Sequence, residues 1–500
     1  MSPPEVPSFR NHILGRDREP RSGLYLDVVD PSRGTVLSRF PRSDARDVDE
    51  AVAAARGAFP AWASTPAPAR GEVLFRAAEL LKQRKDAIAR VLSREMGKRL
   101  EEARGDVQEA LDTAWYAGSE GRRLFGRTAP SELREKVGWT VRRPLGVVGV
   151  LTAWNFPVAV PSWKILPALV CGNTVVWKPA EEAPESGALF AQCLWDAGLP
   201  PGVLNVVHGY GEECGAALVA HPDVQALTFT GSTAVGRLLA ESAGRALKRV
   251  SLELGGKNPV IAMPDADPEL CVDGVLWGAF GTAGQRCTAT SRLILVGDVG
   301  DRILPALVAR ARALRLGDPE DPTVEVGPLV SARQRERVHG YVQTGLREGA
   351  ELLCGGVLPV TEPGFFYPPT VLDRVARGST LAMEEVFGPV LAVLRVRDLD
   401  EAIAVANEVP YGLSSSIFTR DVNAAFRAVE RIEAGITYVN APTIGAEAHF
   451  PFGGVKCTGN GHREGGWAPY EFFTELKTVY VDYSGTLQRA QIDNRGDAER

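Results

Sequence analysis

The chain has 500 residues, 45% of them hydrophobic and 24% charged, and its formal net charge is −6. That length exceeds what one ordinary hydrophobic core holds, so we expect two or three domains. The acidic balance supplies no basic surface for nucleic acid or anionic lipid, which predicts a small-molecule ligand and no nucleic-acid or membrane partner.

The seven cysteines are scattered along the chain, and no two of them form a CxxC pair. An odd, dispersed set argues against a disulfide framework or a zinc site, so we predict reduced thiols and no metal. The opening MSPPEVPSFRNHILGRDREP lacks the apolar central region of a secretory signal. Both features predict a cytoplasmic location.

The first part of the chain has apolar residues at helical spacing. One face carries Val52, Ala55, Phe59 and Trp62, and similar patterns recur over residues 73–82 and 103–116. From about Phe125 to Pro144 the sequence becomes polar and alternating, which predicts a β-arm.

The uncharged segment Leu145–Trp163 is about long enough to span a bilayer. It begins with a β-branched run and then contains Asn155, Pro157 and Pro161. We therefore predict a buried strand followed by a loop, and not a membrane span.

Short Val-rich runs then alternate with helical stretches, which indicates βαβ units and a parallel sheet. The predicted strands are Val147–Thr152, Thr174–Lys178, Leu204–Val207, Ala226–Thr230 and Val250–Glu253. Parallel sheets bind ligands beyond the carboxyl ends of their strands. We therefore expect the residues at those ends to converge on one edge, namely Asn155, Lys178, Gly231 and Glu253.

After Gly256 a second α/β pattern begins. A predicted helix from about Pro268 to Phe280 leads into a Gly-rich loop with Cys287, and a strand follows. A loop of this kind exposes a thiol, and a thiolate attacks carbonyl groups well, so Cys287 is a candidate nucleophile. A buried structural cysteine is the alternative. The end of the chain, FFTELKTVYVDY, predicts a terminal strand.

The usual dinucleotide fingerprint GxGxxG is absent. FTGSTAVG, at Phe229–Gly236, instead follows a predicted strand and opens a predicted helix. Backbone N–H groups at such a helix start face an anion such as a pyrophosphate. By itself, a segment of this kind is more often an ordinary tight turn.

Two segments, SLELGGKNP (Ser251–Pro259) and GQRCTA (Gly284–Ala289), resemble the signatures of the aldehyde dehydrogenase superfamily. TAWNFP, WKPAE, FTGSTAVG, EEVFGPV and PFGGVK resemble further family motifs in the family's order. The resemblance covers nearly the whole chain. It implies an α/β fold with a Rossmann-like parallel-sheet NAD-binding domain (1–125 and 146–255), a second α/β catalytic domain (256–455) and a small β oligomerisation arm and tail (126–145 and 470–500).

The resemblance assigns three catalytic residues. Cys287 would attack the aldehyde, and the Asn155 amide would stabilise the oxyanion. After hydride transfer to a nicotinamide, Glu253 would activate the water that hydrolyses the thioester. Relatives that transfer the acyl group to coenzyme A typically lack this glutamate, so we favour hydrolysis over acyl-CoA formation. A non-catalytic structural protein on the same fold is a further alternative, disfavoured because all three residues and Glu385 are present.

The motifs also imply a cofactor site. Lys178 and Glu181 resemble the pair that holds the adenosine ribose, and a carboxylate there would repel a 2′-phosphate, which favours NAD+ over NADP+. Five further residues match positions around the dinucleotide, namely Trp154, Gly231, Ser232, Glu385 and Phe387. The resemblance implies a homodimer or homotetramer, and we expect an Arg249–Glu475–Arg463 network at a subunit interface.

Substrate residues are predicted around the nucleophile. Arg286 immediately precedes Cys287, and a guanidinium can bind a carboxylate through two parallel bonds. Glu109 matches a position that helps to recognise the substrate in the aminoadipic semialdehyde branch, so a substrate amino group would be met there. The loop Pro442–Glu447, which contains Gly445 and Ala446, offers backbone N–H groups for an anion, and VNAPTIGAE resembles semialdehyde dehydrogenases of the α-aminoadipic or α-ketoglutaric type. We therefore expect a carboxylated semialdehyde. In the alternative, Arg286 is tied to a structural acid and the pocket takes apolar aldehydes.

Overall fold

The structure is a computed structural model that describes residues 6–358 and 363–493. The predicted NAD-binding domain begins at residue 1 and the predicted tail ends at residue 500, so the outermost parts of both lie outside the described residues.

The strands of the described ranges are short. They are β1 (Asn11–Ile13), β2 (Arg16–Arg18), β3 (Tyr25–Val29), β4 (Val36–Pro41), β5 (Thr128–Pro130), β6 (Lys136–Pro144), β7 (Val147–Leu151), β8 (Thr174–Lys178), β9 (Leu204–Val206), β10 (Val224–Thr230), β11 (Arg249–Glu253), β12 (Asn258–Ala262), β13 (Thr290–Val296), β14 (Glu351–Cys354), β15 (Thr370–Asp373), β16 (Val390–Val396), β17 (Tyr411–Gly412), β18 (Ser414–Phe418), β19 (Ile436–Val439), β20 (Val455–Lys456) and β21 (Thr474–Asp482). Six of them, β7, β8, β9, β12, β15 and β18, are buried along their whole length.

The helices connect these strands. They are α1 (Ala45–Ser64), α2 (Ala67–Met96), α3 (Leu100–Glu120), α4 (Ala159–Val170), α5 (Pro184–Asp196), α6 (Ala216–Ala220), α7 (Thr233–Arg245), α8 (Pro268–Phe280), α9 (Gly300–Ala313), α10 (Ala332–Arg347), α11 (Thr380–Met383), α12 (Leu399–Asn407), α13 (Val422–Arg431) and α14 (Pro469–Phe472).

The first sheet positions the site. In the described part of the chain it has seven strands in the order β11-β10-β7-β8-β9-β1-β2. The strands from β11 to β9 pair in parallel, as the Val-rich runs predict, and β1 and β2 pair antiparallel at the far side. β7 and β8 are buried along their whole length, which explains why their sequences are nearly continuous in apolar residues. β11, which ends at Glu253, is the edge strand.

The strand predicted within Leu145–Trp163 is present, but the predicted loop is shorter than expected because a helix follows it. β7 is followed by a loop that ends where α4 begins at Ala159, so Trp163 lies within a helix. Pro161 falls in the first turn, where a missing N–H costs little. Every residue of α4 is buried, so its sequence lacks the alternating faces that mark a surface helix. No helix in the described ranges is both long and apolar enough to cross a bilayer.

The second sheet has the order β14-β15-β16-β13-β12-β18-β19, again seven strands within the described residues. It is parallel except where β14 meets β15. α8 leads through a short 3-10 turn at Gly281–Gly284 to Cys287 and then to β13. The nucleophile candidate therefore lies at the amino end of a strand in this sheet.

The predicted β-arm is a separate antiparallel sheet of β21, β6 and β5. β21 pairs with β6 along its full length, from Thr474 opposite Pro144 to Asp482 opposite Lys136. The arm exposes large apolar side chains, among them Leu476 and Tyr480. An exposed apolar surface of this kind is typical of an interface.

Candidate active site

The four residues predicted to converge on one sheet edge do lie at the carboxyl ends of neighbouring strands. Glu253 ends β11, Gly231 follows β10, Asn155 follows β7 and Lys178 ends β8. Because these strands are adjacent and parallel, the topology brings the residues to one side of the sheet.

Residues 281–287 form the loop that ends at the candidate nucleophile Cys287, and we call it the nucleophile loop. Its backbone is unusual. Thr282 and Ala283 adopt left-handed conformations with φ near 54° and 53°, which side chains with a Cβ rarely adopt. Gly284 is left-handed as well, and a Cβ there would lie 2.2 Å from the carbonyl oxygen of Gly388. Such strain persists only where surrounding contacts fix the backbone.

Two side chains from elsewhere in the fold fix this loop. The buried Glu102 of α3 accepts a 2.8 Å hydrogen bond from the Thr282 backbone N–H and a 3.2 Å bond from its hydroxyl. Asn258, at the start of β12, donates from Nδ2 to the carbonyl oxygens of Cys287 at 2.8 Å and Ala289 at 2.9 Å. The loop is therefore held from both sides of Cys287.

Asn155 lies next to the nucleophile loop. Its Nδ2 donates to the carbonyl oxygen of Gln285 at 3.2 Å, and its side chain is nearly fully buried. A neutral amide with a second N–H in this position is chemically suited to hold an oxyanion formed at Cys287.

Cys287 is half-buried and lines two spaces, whose walls also share Thr230 and Leu254. One is a cavity of about 480 Å³ and the other a cleft of about 150 Å³. Burial, with smaller contributions from the carboxyl groups of Glu385 and Glu253, raises the pKa of the Cys287 thiol to about 12. A thiol with that pKa needs a nearby proton acceptor or cation to become a nucleophile at neutral pH.

Glu253 lines the same cavity as Cys287. Its carboxyl group is unusual in its hydrogen bonding and in its pKa. Neither of its oxygens has a hydrogen-bond partner among the described residues. Burial and the neighbouring Glu464 raise the pKa of Glu253 well above its ordinary value, while Lys164 opposes that shift. A carboxyl group with a raised pKa and no fixed partner is available to exchange a proton with a water molecule.

Lys164 and Glu464 were not among the predicted site residues. Lys164, on the buried helix α4, forms an ion pair with Glu464 and donates to the Thr228 hydroxyl at 3.2 Å. The available signal was a lysine placed at the end of a long apolar segment, since a buried charge requires a partner. The partner itself could not be identified, because it lies 300 residues away in the chain.

One pair of the predicted Arg249–Glu475–Arg463 network is present within the chain, and the subunit interface at which we expect the network stays a prediction. Arg249 does pair with Glu475 at 3.3 Å, and both side chains are substantially exposed. Arg463 instead lies beside Glu253: a Cβ at Gly453 would be 2.8 Å from its Cδ, and its charge lowers the pKa of Glu253. Arg463 is therefore close to Glu253, which lines the cavity.

The cleft next to Cys287 is lined by the five residues predicted to surround a dinucleotide, namely Trp154, Gly231, Ser232, Glu385 and Phe387. Gly231 and Ser232 open the amino end of α7, a thirteen-residue helix. The buried Thr230 hydroxyl in the same cleft has no hydrogen-bond partner among the described residues. A free donor beside a helix amino terminus fits a phosphate group.

Glu385 is fixed at the side of the cleft near Cys287. Its Oε1 accepts a 2.9 Å hydrogen bond from the Gly256 backbone N–H, and a Cβ at Gly255 would lie 2.5 Å from its Oε2. Lys178 and Glu181 form an ion pair at the end of β8. The polar groups thus extend along the sheet edge from β8 to Cys287, which fits an elongated dinucleotide.

The predicted substrate residues Glu109, Arg286, Gly445 and Ala446 all line the cavity on the other side of Cys287. Arg286 donates to Glu102 at 3.0 Å and to the Thr282 hydroxyl at 3.0 Å, and it lies 5.0 Å from the Trp277 ring centroid. The alternative expectation, that an acid holds Arg286, is therefore the contact present here. The guanidinium nevertheless remains part of the cavity wall.

Within residues 6–358 and 363–493, no group of three or more His, Cys, Asp or Glu side chains is placed to bind a metal ion. The cavity and the cleft are together lined by the Cys287 thiol, the Asn155 amide and the Glu253 carboxyl group.

The profile of the aldehyde dehydrogenase family matches residues 18–479. The chain belongs to this family. It is an NAD(P)+-dependent aldehyde dehydrogenase, and the α/β fold implied by the motifs is confirmed by solved members.

Its relatives differ in the aldehyde that their names state. An α-ketoglutaric semialdehyde dehydrogenase of Bacillus subtilis (strain 168) is 40% identical over 481 residues, which cover 95% of this chain and 99% of the relative. A betaine aldehyde dehydrogenase of Rhizobium leguminosarum bv. trifolii is 39% identical over 484 residues, 95% of this chain and 97% of the relative. The crystal structure of PnpE in complex with nicotinamide adenine dinucleotide superposes with a TM-score of 0.93 at 38% identity, covering 96% of this chain and 98% of that one.

Alkylation tests the position of Cys287 in this aldehyde dehydrogenase. Because the pKa of Cys287 is about 12, its labelling by iodoacetamide should accelerate about tenfold per pH unit between pH 7 and pH 9, with activity lost in parallel. Cys287→Ala should lower kcat at least about a thousandfold.

The matched control is Cys457→Ser, since Cys457 is likewise only half-buried. This variant should keep full activity and the same pH dependence of inactivation. If inactivation followed labelling of Cys457 while Cys287→Ala stayed active, the nucleophile would be misassigned.

Proposed function

We propose that this aldehyde dehydrogenase uses NAD+ to oxidise a carboxylated semialdehyde to the acid, through a thioester on Cys287 that Glu253 helps to hydrolyse. The observation that carries the proposal is the position of Cys287 between two spaces. On one side lies a cavity with Arg286 and Glu253, and on the other a cleft with the features of a dinucleotide site.

In the first step the Cys287 thiolate adds to the aldehyde carbon, and the carbonyl oxygen gains negative charge. The Asn155 amide and the Cys287 backbone N–H would donate to that oxygen. The Asn155 side chain is already oriented by its bond to Gln285. NAD+ in the cleft would supply the acceptor for the hydride that leaves the carbon.

In the second step a water molecule attacks the thioester and Cys287 leaves as thiolate. Glu253 in its ionised form would take a proton from that water. The unpaired carboxyl oxygens and the neighbouring Lys164–Glu464 pair support this role, because a base needs a free lone pair and a route by which the proton can leave. The raised pKa of Glu253 means that the ionised fraction increases with pH.

Pre-steady-state kinetics test Glu253. Glu253→Gln should still release about one NADH per active site in a burst, because acylation precedes the step that needs the base. Its steady-state kcat should fall about a hundred- to ten-thousandfold, and the increase of kcat with pH should disappear.

Added coenzyme A separates hydrolysis from acyl transfer. It should not accelerate turnover of the wild type, whereas acceleration would identify an acyl-CoA-forming enzyme. Loss of the burst with unchanged steady-state turnover would place Glu253 before hydride transfer and contradict its role as the hydrolytic base.

The preference for NAD+ is tested at Glu181. Its carboxylate pairs with Lys178. By the motif resemblance it would lie beside the adenosine ribose and would repel a 2′-phosphate. The wild type should have the higher kcat/KM with NAD+, and Glu181→Gln should reduce the discrimination against NADP+ about tenfold by removing that repulsion. Glu430→Gln, exposed on α13, should leave the ratio unchanged. A wild-type preference for NADP+ would refute the assignment.

The substrate class is supported by charge in the cavity. Arg286 and Arg99 share one carboxylate, Glu102, so these three side chains together carry one positive charge, although Glu101 lines the same wall. Burial and the nearby Asp106 raise the pKa of Glu109 to about 8. At pH 7 the Glu109 carboxyl is therefore mostly protonated and can donate to a substrate carboxylate.

The opposite preference has one supporting observation. Beside Glu109, the side chains of Asp112 and Glu447 line an acidic mouth that adjoins the cavity, and such a mouth would attract a cationic aldehyde of the betaine type. The two charged classes therefore have to be compared directly.

The comparison uses kcat/KM for three aldehydes of equal length, one ending in a carboxylate, one in a methyl group and one in a trimethylammonium group. The wild type should prefer the carboxylate, and Arg286→Ala should lower kcat/KM for it about ten- to a hundredfold while changing the neutral substrate less. Arg122→Ala, which removes only an exposed pair with Glu72, is the matched control. A preference for the neutral or the cationic aldehyde would contradict the proposed substrate.

A further inference from the structure

Glu253 lies on a strand that has a neighbour strand on one side only. β11 is the edge of the first sheet and pairs with β10 through the register Thr230 opposite Glu253. The outward backbone groups of an edge strand have no partner from the sheet, and such strands fray or shift more easily than central ones.

A short segment from the far end of the chain covers that open edge. The Thr458 carbonyl accepts a 2.7 Å hydrogen bond from Leu254 N–H, and Gly459 forms an antiparallel bridge with Glu253. Residues 458 and 459 pair with the edge through their backbone groups. The next contact along the edge is made by a side chain.

That side chain is Asn460. Its Oδ1 accepts a 3.0 Å hydrogen bond from the Leu252 backbone N–H, and its Nδ2 donates a 2.7 Å bond to the Val250 carbonyl oxygen. One amide thus satisfies a donor and an acceptor on the two sides of residue 251, as a neighbouring strand would. A hydrogen bond on each side fixes both the position and the register of β11 just before Glu253.

The Glu253 side chain depends on this backbone because nothing else holds it by a hydrogen bond in the described residues. Its surroundings leave little room for compensation: a Cβ at Gly453 would lie 2.4 Å from Glu253 Oε1. A shift of β11 would therefore move the carboxyl group directly, and displacements of about 1 Å at a reacting group can cost a hundredfold in rate.

We infer that Asn460 is a positioning residue for the hydrolysis of the thioester: it holds the edge strand β11 so that Glu253 reaches the attacking water. The inference rests on the proposed function of Glu253. Asn460 is itself exposed and does not line the cavity, so it acts on the reaction only through β11.

The experiment compares the NADH burst with steady-state turnover in Asn460→Ala. The burst should keep its amplitude of about one per active site and its rate, while steady-state kcat should fall about ten- to a hundredfold. Asn460→Asp keeps the acceptor for Leu252 N–H but loses the donor, so its kcat should lie between those of Asn460→Ala and the wild type.

Asn407→Ala is the matched control. Asn407 also bridges two backbone groups, the Arg431 carbonyl and the Glu433 N–H, each at 2.8 Å, and neither bond involves β11. A loss of fold stability alone would lower burst amplitude and turnover together, and would do so in either asparagine variant. If Asn460→Ala does not fold, Asn460→Asp decides by the same ratio.

The outcomes separate this inference from the proposed function. If Glu253→Gln fails to separate burst from turnover, the role of Glu253 is wrong and the inference falls with it. If Glu253→Gln does separate burst from turnover, the role of Glu253 stands. If the two Asn460 variants then keep wild-type turnover, or lose burst and turnover in proportion, Asn460 is not a positioning residue.

Discussion

The buried carboxylate of Glu102 is the contact on which the arrangement of the site depends. It extends from α3, which packs beside the first sheet, to the strained loop that leads into the second sheet, and it accepts hydrogen bonds from Thr282 and Arg286. Without these hydrogen bonds the left-handed conformations of Thr282 and Ala283 would be unfavourable, because surrounding contacts are needed to hold such strained backbone. Through this contact the loop that carries Cys287 and leads into the second sheet is held beside the strand ends of the first sheet. Both the cavity and the cleft are lined by Cys287.

Burial gives this site its chemical character and also its difficulty. The pKa values of the Cys287 thiol and the Glu253 carboxyl are both raised, because both groups are removed from water. Burial therefore disfavours two neighbouring anions at Cys287 and Glu253. Catalysis then requires that a proton can leave, and the Lys164–Glu464 pair beside Glu253 offers polar groups through which it could move.

The sequence predicted the parts of this site that depend on local pattern. Strand ends in a parallel sheet converge whatever the loops do, so Asn155, Lys178, Gly231 and Glu253 could be placed together from the spacing of the Val-rich runs. Pairings between distant segments could not be predicted: Glu102 and Arg286 are 184 residues apart, and nothing in either segment marks the other as its partner. The helix α4 was missed for a different reason, since burial on all sides removes the periodicity by which a surface helix is recognised.

In the proposed mechanism Cys287 carries the acyl group as a thioester, and Glu253 promotes the hydrolysis of that thioester. The most direct measurement is peptide mass spectrometry of Glu253→Gln, mixed with NAD+ and a carboxylated semialdehyde and quenched in acid within the first turnover. The account predicts that the peptide containing Cys287 gains the mass of the acyl group in nearly every molecule, and that in the wild type the same adduct is scarce. An unmodified Cys287 in the variant, or an adduct on another cysteine, would contradict the account.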